Sequence, residues 1–514
     1  MSSGSTCAIM PKREPGYYLG VEHLHRDLSG RSARGGAVSI FAQIVKVVVQ
    51  LGTIVVLGRL LQPEVFGLIA MVAIVLAFLE MFKDLGLSTA TIQRADIGHS
   101  DVSTLFWVNA GLGVATAVLV FMLAPGIAWF YGEPDLAEIT RWLCLGFILS
   151  GLTTQHLALL RRQMKFNALA FIQVGAEVVG MSAAIVAAYL GAGYWALVLQ
   201  RLVWSALMMA GTWAFCGWRP GPPGRLGTVR DLLGFGGNVT LANSINFSTQ
   251  HLDQLLIGWY WGAAPLGLYD RAHRLLLAPI NNLNAPLFAV AMPALSRLVD
   301  EPARYRNAYL QMIEKLIMIT MPGAALLIVM PDYVVRILFG PHWLDAAPII
   351  GWLAIAALYQ PVTYTCSWLL MSQNRTREMP MLGLAGSCIT AVAVVIGLPY
   401  GAVGVAAAYA LSGLCLRVPF LFWVVGRRGP VSTRDIYRAM APATLASMLI
   451  LGIIWWLRKA HAFEMMTPIE AMLTAGILAV IVALIAYVSL PQSRQAMRDF
   501  RRVSDAFLKR GANA

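Results

Sequence analysis

The amino-acid sequence predicts an all-α integral membrane protein with about fourteen transmembrane helices. Of its 514 residues, 58% are hydrophobic and 13% are charged, whereas a soluble protein of this size carries about 25% charged residues. The apolar residues come in runs of about 18–25, the length of helix that crosses the hydrocarbon core of a bilayer. Because a segment in lipid must satisfy its own backbone hydrogen bonds, each run is predicted to be a helix.

The runs follow one another with short connections. In chain order they cover residues 37–57, 65–83, 105–130, 138–159, 168–189, 194–216, 232–258, 266–294, 308–330, 346–370, 380–398, 402–425, 440–457 and 470–490. The alternating, strand-length segments that are typical of a membrane barrel do not occur in the sequence. The element pattern therefore indicates helices throughout.

The first twelve runs form two halves that repeat. Residues early in each half recur 200 positions apart, and later residues recur 210 positions apart. The pairs include Gly58 with Gly258, Gly67 with Gly267, Leu68 with Leu268, Trp142 with Trp352 and Gln163 with Gln373. This pattern predicts two six-helix lobes, as in transporters that bind their substrate between internal repeats.

The predicted organisation divides the chain into six parts. They are a tail at 1–35, an N-lobe at 36–216, a linker at 217–230, a C-lobe at 231–425, two further helices at 426–490 and a basic tail at 491–514. The linker is rich in proline and glycine, which favours a boundary there. The last two helices have no counterpart in the repeat.

The distribution of positive charge predicts the orientation of the helices. Odd-numbered connections contain few basic residues, namely Arg59, Arg336, Arg458 and Lys459, whereas the even-numbered connections and both tails are rich in Lys and Arg. By the positive-inside rule, both termini are expected in the cytoplasm. The same rule explains the net charge of +13, so no nucleic-acid partner is expected. Membrane lipids are the expected partners of these basic residues.

Several classes of chemistry are disfavoured by missing motifs. The six cysteines are scattered without a C-x-x-C pair, so neither a metal site nor redox chemistry is predicted. The sequence has no phosphate-binding loop of the Walker type, which argues against ATP-driven transport within this chain. No cofactor is expected.

A set of ordered motifs resembles a known transporter family. The motifs are LGRLLQPEVFGL at 57–68, QR at 93–94, STLFWVN at 103–109, LDQLLIG at 252–258, Gly267-Leu268-Tyr269, and LFGP at 338–341 followed by Trp343. Together they resemble the polysaccharide-transport (Wzx-like) family of the multidrug/oligosaccharidyl-lipid/polysaccharide exporter superfamily. The resemblance implies a flippase for undecaprenyl-pyrophosphate-linked oligosaccharides in the bacterial inner membrane. It also implies roles for a polysaccharide polymerase and export machinery as partners.

Charged residues within the predicted helices are the candidate substrate-binding residues, because a charge in the bilayer usually faces a cavity or a partner. The candidates are Lys46, Arg201, Arg271, Arg274 and Arg417. Arginine suits a pyrophosphate because its planar fork can hold phosphate oxygens bidentately. The alternatives are snorkelling of Arg271, Arg274 and Arg417 towards water and a structural ion pair of Arg201 with Glu177.

The seventh predicted helix has a polar face. Asn243, Asn246, Gln250 and Asp253 follow a three-to-four spacing and are expected on one side of the helix, where they suit sugar hydroxyls. Interhelical hydrogen bonding is the alternative role. Asp253 and Glu177 are also candidates for coupling to protons or sodium, since burial raises the pKa of a carboxyl group.

Three functions are compatible with this pattern. The first is the lipid-linked oligosaccharide flippase working by alternating access, for exopolysaccharide, capsule or O-antigen assembly. The second is a multidrug or cation extruder of the same superfamily, which would favour an acidic cavity. The third is a membrane glycosyltransferase or polymerase, which would need a larger outer loop with catalytic residues than the segment from Pro331 to Ala346 provides.

Overall fold

A computed structural model describes residues 28–84, 87–93, 97–224, 247 and 250–490, and the regular structure in those ranges is entirely helical. The α-helices, numbered in chain order, are α1 Leu28–Leu60, α2 Pro63–Asp84, α3 Leu87–Gln93, α4 His99–Tyr131, α5 Asp135–Leu143, α6 Leu145–Arg162, α7 Phe166–Tyr189, α8 Trp195–Cys216, α9 Leu252–Trp261, α10 Ala263–Ser296, α11 Pro302–Val329, α12 Pro331–Leu338, α13 Ala346–Ser372, α14 Met379–Gly397, α15 Gly401–Ser412, α16 Val418–Gly426, α17 Thr433–Lys459 and α18 Pro468–Ser489. A π-helical segment, Gly413–Arg417, joins α15 to α16. The all-α fold class is confirmed.

Ten helical stretches in the described ranges are long and apolar enough to cross a membrane. One of them, Thr376–Gly426, has 51 residues, far more than the roughly 20 that one span needs, and it contains the two spans predicted at 380–398 and 402–425. Two further predicted spans fall on α8 and α10, which are not among the ten, and most of 232–258 lies outside the described residues. The protein is a multi-pass membrane protein, and the total of fourteen spans remains a prediction.

The chain forms two compact units. Among the described residues, the first contains 28–50, 75–129 and 134–224, and the second contains 51–74, 130–133, 247 and 250–490. The predicted N-lobe differs from the first unit in two segments, 51–74 and 130–133, which belong to the second unit.

The first unit has an aromatic core between α4, α6 and α8. The His156 ring stacks 4.4 Å from the ring of Trp213, and Phe106 meets both residues edge to face. Trp218, from the predicted linker, is buried in the same core and donates its Nε1–H to His99 at 3.0 Å. The first part of the linker is therefore docked on the helices of this unit.

The second unit holds the last two helices by close packing. On α18, a stripe of alanines spaced four residues apart is buried, while the bulky side chains of the opposite face are exposed. Small residues at a membrane helix interface let two backbones approach closely. At the start of α17, the Asp435 carboxylate accepts two hydrogen bonds from Arg306 of α11 and caps the helix together with Ser432.

The repeat is visible where α2 and α10 cross within the second unit. α2 begins at Pro63 and α10 at Ala263, 200 positions later. A Cβ atom added to Gly67 would lie 1.7 Å from the carbonyl oxygen of Ala263, and one added to Gly267 would lie 1.8 Å from that of Pro63. The contact is reciprocal between repeat-related positions, and it requires glycine in both helices.

Candidate functional site

The candidate site is built around the break between α9 and α10. α9 ends at Trp261, and Gly262 has φ +82°, a left-handed value that favours glycine. In the first turn of α9, the Asp253 carboxylate is buried and accepts hydrogen bonds from the Tyr269 hydroxyl at 2.6 Å and from the Gln254 backbone N–H at 2.8 Å. Asp253 is therefore fixed by neutral donors from its own helix and from α10.

Two arginines share one buried carboxylate on α10, and we call Asp270, Arg271 and Arg274 the α10 charge cluster. Asp270 is 1% exposed. Its oxygens accept from Arg274 Nε at 2.9 and 3.0 Å, and Arg271 Nη2 lies 3.3 Å from one of them. Formally, two positive charges face one negative charge, so the cluster carries an excess positive charge.

Both arginines retain guanidinium nitrogens outside this ion pair. Asp270 engages Arg274 through Nε, which leaves its two Nη groups out of the pair, and that side chain is 51% exposed. Arg271 is 14% exposed, lies 4.3 Å above the Phe66 ring, and has a buried Nε with no hydrogen-bond partner in the described ranges. The cluster therefore offers N–H donors to an anionic group.

Arg417 occupies the π-helical segment. Its guanidinium lies 4.4 Å from the centre of the Tyr409 ring and donates to the Tyr409 carbonyl at 3.1 Å and to the Tyr359 hydroxyl at 3.3 Å. A Cβ atom on Gly413 would lie 1.8 Å from that hydroxyl. The Arg417 guanidinium is therefore held by neutral groups of the second unit.

The remaining candidates are on other elements. Lys46 on α1 and Glu177 on α7 are half-buried, and Gln250 is exposed. Arg201 pairs with Glu80 at 3.9 Å and lies over the Trp204 ring, so its ion pair is with Glu80 and not with Glu177, the alternative that the sequence left open. Asn243 and Asn246 lie outside the described residues.

The structure thus brings Asp253, Arg271, Arg274 and Arg417 into the second unit, while Lys46, Glu177 and Arg201 belong to the first. Asp270 and Tyr269 were not among the candidate site residues predicted from the sequence. Asp270 could have been found, because a carboxylate four residues before an arginine pairs with it on a helix. In the described part of the chain, no group of three or more His, Cys, Asp or Glu residues could hold a metal ion.

Comparisons with known proteins identify relatives of the chain. The family model described as "Polysaccharide biosynthesis protein" matches residues 56–348, more than half of the sequence. The lipopolysaccharide biosynthesis protein WzxC of Escherichia coli (strain K12) is 27% identical over 391 residues, which is 75% of this chain and 79% of WzxC. The succinoglycan biosynthesis transport protein ExoT of Rhizobium meliloti (strain 1021) is 26% identical over 71% of this chain and 73% of ExoT.

A solved structure shares the fold. The lipid II flippase MurJ, in an inward closed conformation, superimposes with a TM-score of 0.70 at 14% identity, covering 88% of this chain and 98% of MurJ. The helical architecture, the ordered motifs and the family match agree with one another. The chain belongs to the polysaccharide biosynthesis protein family.

Proposed function

We propose that this protein is a flippase that moves undecaprenyl-pyrophosphate-linked oligosaccharide units across the bacterial inner membrane by alternating access. Its products would feed exopolysaccharide, capsule or O-antigen assembly, in which a polymerase and export machinery act downstream. The observation that carries the proposal is the excess positive charge of the α10 charge cluster in a membrane protein of this family. The names of WzxC, ExoT and MurJ support the same class of substrate.

The α10 charge cluster suits a pyrophosphate for electrostatic reasons. The phosphate oxygens are anionic acceptors, and the terminal Nη groups of Arg274 form a fork that matches two of them. Asp270 orients both arginines and lowers the cost of keeping them among apolar helices. Because one carboxylate neutralises only one of the two guanidiniums, a bound anion would neutralise the remaining positive charge.

The crossing of α2 and α10 supports a conformational cycle. With the termini in the cytoplasm, as the positive-inside rule proposes, the start of both helices lies at the outer side of the membrane. Two backbones in glycine contact form a tight seal at that point, and releasing the substrate outward would require them to separate. Asp253 and Glu177 remain candidates for coupling this step to protons or sodium.

The α10 charge cluster disfavours the other functions. A cation extruder would place carboxylates in excess, whereas two arginines here face one aspartate. A glycosyltransferase would need catalytic carboxylates on an outer segment. In 331–345, Asp332 is instead paired with Arg458 at 2.9 Å, which assigns it a structural contact.

Complementation tests the proposal. A strain lacking its own flippase would receive Arg271→Ala, Arg274→Ala or Lys46→Ala, and surface polysaccharide would be measured at matched protein level. We expect export to fall at least about tenfold for Arg271→Ala and Arg274→Ala, because one charge-assisted hydrogen bond contributes about 1.5–3 kcal/mol. Arg304→Ala, which removes an exposed pair with Glu301, is the matched control. Full export by both cluster variants would refute the role of the cluster.

A further inference from the structure

The crossing of α2 and α10 has two corners that the internal repeat relates. The Phe66 corner contains Gly58, Phe66, Phe339 and Trp343, and the Leu266 corner contains Gly258, Leu266, Met71 and Tyr131. A Cβ atom added to Gly58 would lie 2.5 Å from the Phe339 ring, and one added to Gly258 would lie 3.1 Å from that of Tyr131. Each of these two rings comes directly before a glycine with positive φ. Because the corners share this arrangement, the differences between their side chains are informative.

The Phe66 corner contacts a charged side chain, whereas the Leu266 corner contains a neutral one in its place. The guanidinium of Arg271 on α10 lies over the Phe66 ring, 4.3 Å from its centre. The position 200 residues earlier, on α2, is Met71, whose buried side chain lies beside Leu266 at Gly258. Phenylalanine therefore accompanies arginine, and leucine accompanies methionine. The face of an aromatic ring attracts a cation, which an aliphatic side chain does not.

A buried tryptophan fixes the Phe66 ring. The Trp343 ring meets the Phe66 ring edge to face, with centres 5.4 Å apart, and packs on the Phe339 ring with centres 5.2 Å apart. The Trp343 Nε1–H also donates to the Gly58 carbonyl at 2.7 Å. All three rings are buried, and closely packed side chains of this kind stay in one rotamer. The ring that Arg271 contacts is therefore held by the rest of the corner.

The contact with the ring holds Arg271 without using a hydrogen-bond donor. A ring face attracts the guanidinium through its quadrupole, so the five N–H groups stay available for acceptors. Asp270 approaches Nη2 at 3.3 Å, and Nε is buried with no hydrogen-bond partner among the residues that the structure describes. Because native proteins pair almost all buried polar groups, an unpaired N–H on a fixed guanidinium points to an acceptor that a ligand supplies.

Two simpler explanations of Phe66 account for less. Close packing at the crossing does not require an aromatic ring, since Leu266 is buried at the related position. The ion pair with Asp270 does not fix the guanidinium of Arg271 either, because one contact of 3.3 Å leaves the group free to rotate about it. The ring supplies the second point of attachment.

We propose that Phe66 is a positioning residue for the pyrophosphate headgroup. Its ring, held by Trp343, keeps the Arg271 guanidinium in place and leaves the Nε–H to donate to a phosphate oxygen. This role rests on the proposed function, in which the α10 charge cluster binds the pyrophosphate. It gives the aromatic residues at 66 and 343 a part in anion binding that their motifs did not indicate.

Two lipid probes test this role on the full chain, purified in detergent. Binding of undecaprenyl pyrophosphate, and of undecaprenol as the same hydrocarbon chain without phosphate, is measured by native mass spectrometry. We expect Phe66→Leu to weaken binding of the pyrophosphate lipid about fivefold, the value of one cation–π contact, and to leave undecaprenol binding unchanged. Trp343→Leu removes the ring that holds Phe66 and should act in the same direction. In the Arg271→Ala background, Phe66→Leu should have no further effect, because no guanidinium remains for the ring to hold.

The repeat provides the matched control. Tyr131→Leu removes a buried ring from the Leu266 corner, where the related side chain is Met71, and it should bind both lipids like the wild type. An equal loss of pyrophosphate binding in Tyr131→Leu would overturn the positioning role, because any ring at the crossing would then have the same effect.

The remaining outcomes separate the two proposals. Wild-type binding of undecaprenyl pyrophosphate by Phe66→Leu, or a further fivefold loss in the Arg271→Ala background, would overturn the positioning role and leave the charge cluster as the headgroup site. If Arg271→Ala alone bound the pyrophosphate lipid like the wild type, the headgroup role of the cluster would itself be contradicted. The positioning role would then fall with it.

Discussion

Replacing Gly67 by alanine tests whether the close crossing of α2 and α10 is part of the working protein. The added Cβ atom would lie 1.7 Å from the carbonyl oxygen of Ala263 and 2.5 Å from its carbonyl carbon. Real Cβ atoms essentially never come closer than 3.0 Å to such an atom, so the two helices must separate by at least about 1.3 Å. The obstacle is backbone, and no side-chain rotation can relieve it.

The energetic effect follows from this geometry. Overpacking a well-packed interface costs about 1–3 kcal/mol. For Gly67→Ala we expect a cost at the upper end of this range, because the obstacle is backbone and cannot move aside as a side chain can. About 3 kcal/mol changes the ratio of two conformations by more than a hundredfold. If the protein alternates between states with and without this contact, the substitution depopulates the state in which α2 and α10 touch. Gly267→Ala should act in the same way, since it meets the Pro63 oxygen at 1.8 Å.

The assay combines function with stability. Surface polysaccharide is measured in a flippase-deficient strain at matched protein level, and thermal unfolding is followed on the purified chain. We expect Gly67→Ala and Gly267→Ala each to reduce export at least tenfold and to lower the unfolding temperature. Gly111→Ala is the matched control on a membrane helix, because nothing lies within 4 Å of its added Cβ. Wild-type export and stability in both crossing variants would refute the reasoning.

Three further substitutions each remove or weaken a contact of one side chain, and the expected effect follows from that contact. Asp270→Asn removes the buried carboxylate that the largely buried Arg271 and the half-exposed Arg274 share, and it should destabilise the protein by about 3 kcal/mol, seen as a lower unfolding temperature. Tyr269→Phe removes the 2.6 Å hydrogen bond to Asp253 and should cost about 1.5–3 kcal/mol in the same measurement. Asp435→Asn weakens the double hydrogen bond from Arg306 and should make the last two helices the first region to be cleaved in limited proteolysis.

The control for Asp270→Asn is an ion pair of the same chemistry in an exposed position. Arg304→Gln removes an ion pair whose partners are 71% and 50% exposed, and such pairs contribute at most about 1 kcal/mol. If Asp270→Asn changed the unfolding temperature no more than this variant, the buried ion pair would have no special role. Wild-type proteolysis of Asp435→Asn would show that packing alone holds α17.

The sequence predicted the helical elements well for identifiable reasons. Apolar length identifies a membrane helix without tertiary information, and proline starts helices at Pro63, Pro302 and Pro468 because the first turn needs no backbone donor there. The 200-residue repeat also predicted which glycines correspond. It did not predict that Gly67 and Gly267 lie in one contact, since a repeat describes similarity and not proximity.

The candidate site was predictable only in part. Arg274 and Asp270 are four residues apart on one helix, so local geometry determines their pairing. Arg201 could not be assigned in that way, because its partner Glu80 comes from α2, more than a hundred positions earlier. The stacking of Arg271 on Phe66 likewise joins distant helices, and only the packing of helices brings such side chains together.

Because the alanine stripe of α18 is buried, the opposite face of this helix is a suitable place to attach a probe. Since α18 is packed against the second unit on its small-residue side and exposes its bulky side to lipid, a probe attached there would report on that unit alone. A fluorophore on the exposed Ile481, for example, would serve as one end of a distance measurement in a bilayer during turnover. The added helices would thus provide a stable point of reference from which the motion of the repeated core can be timed.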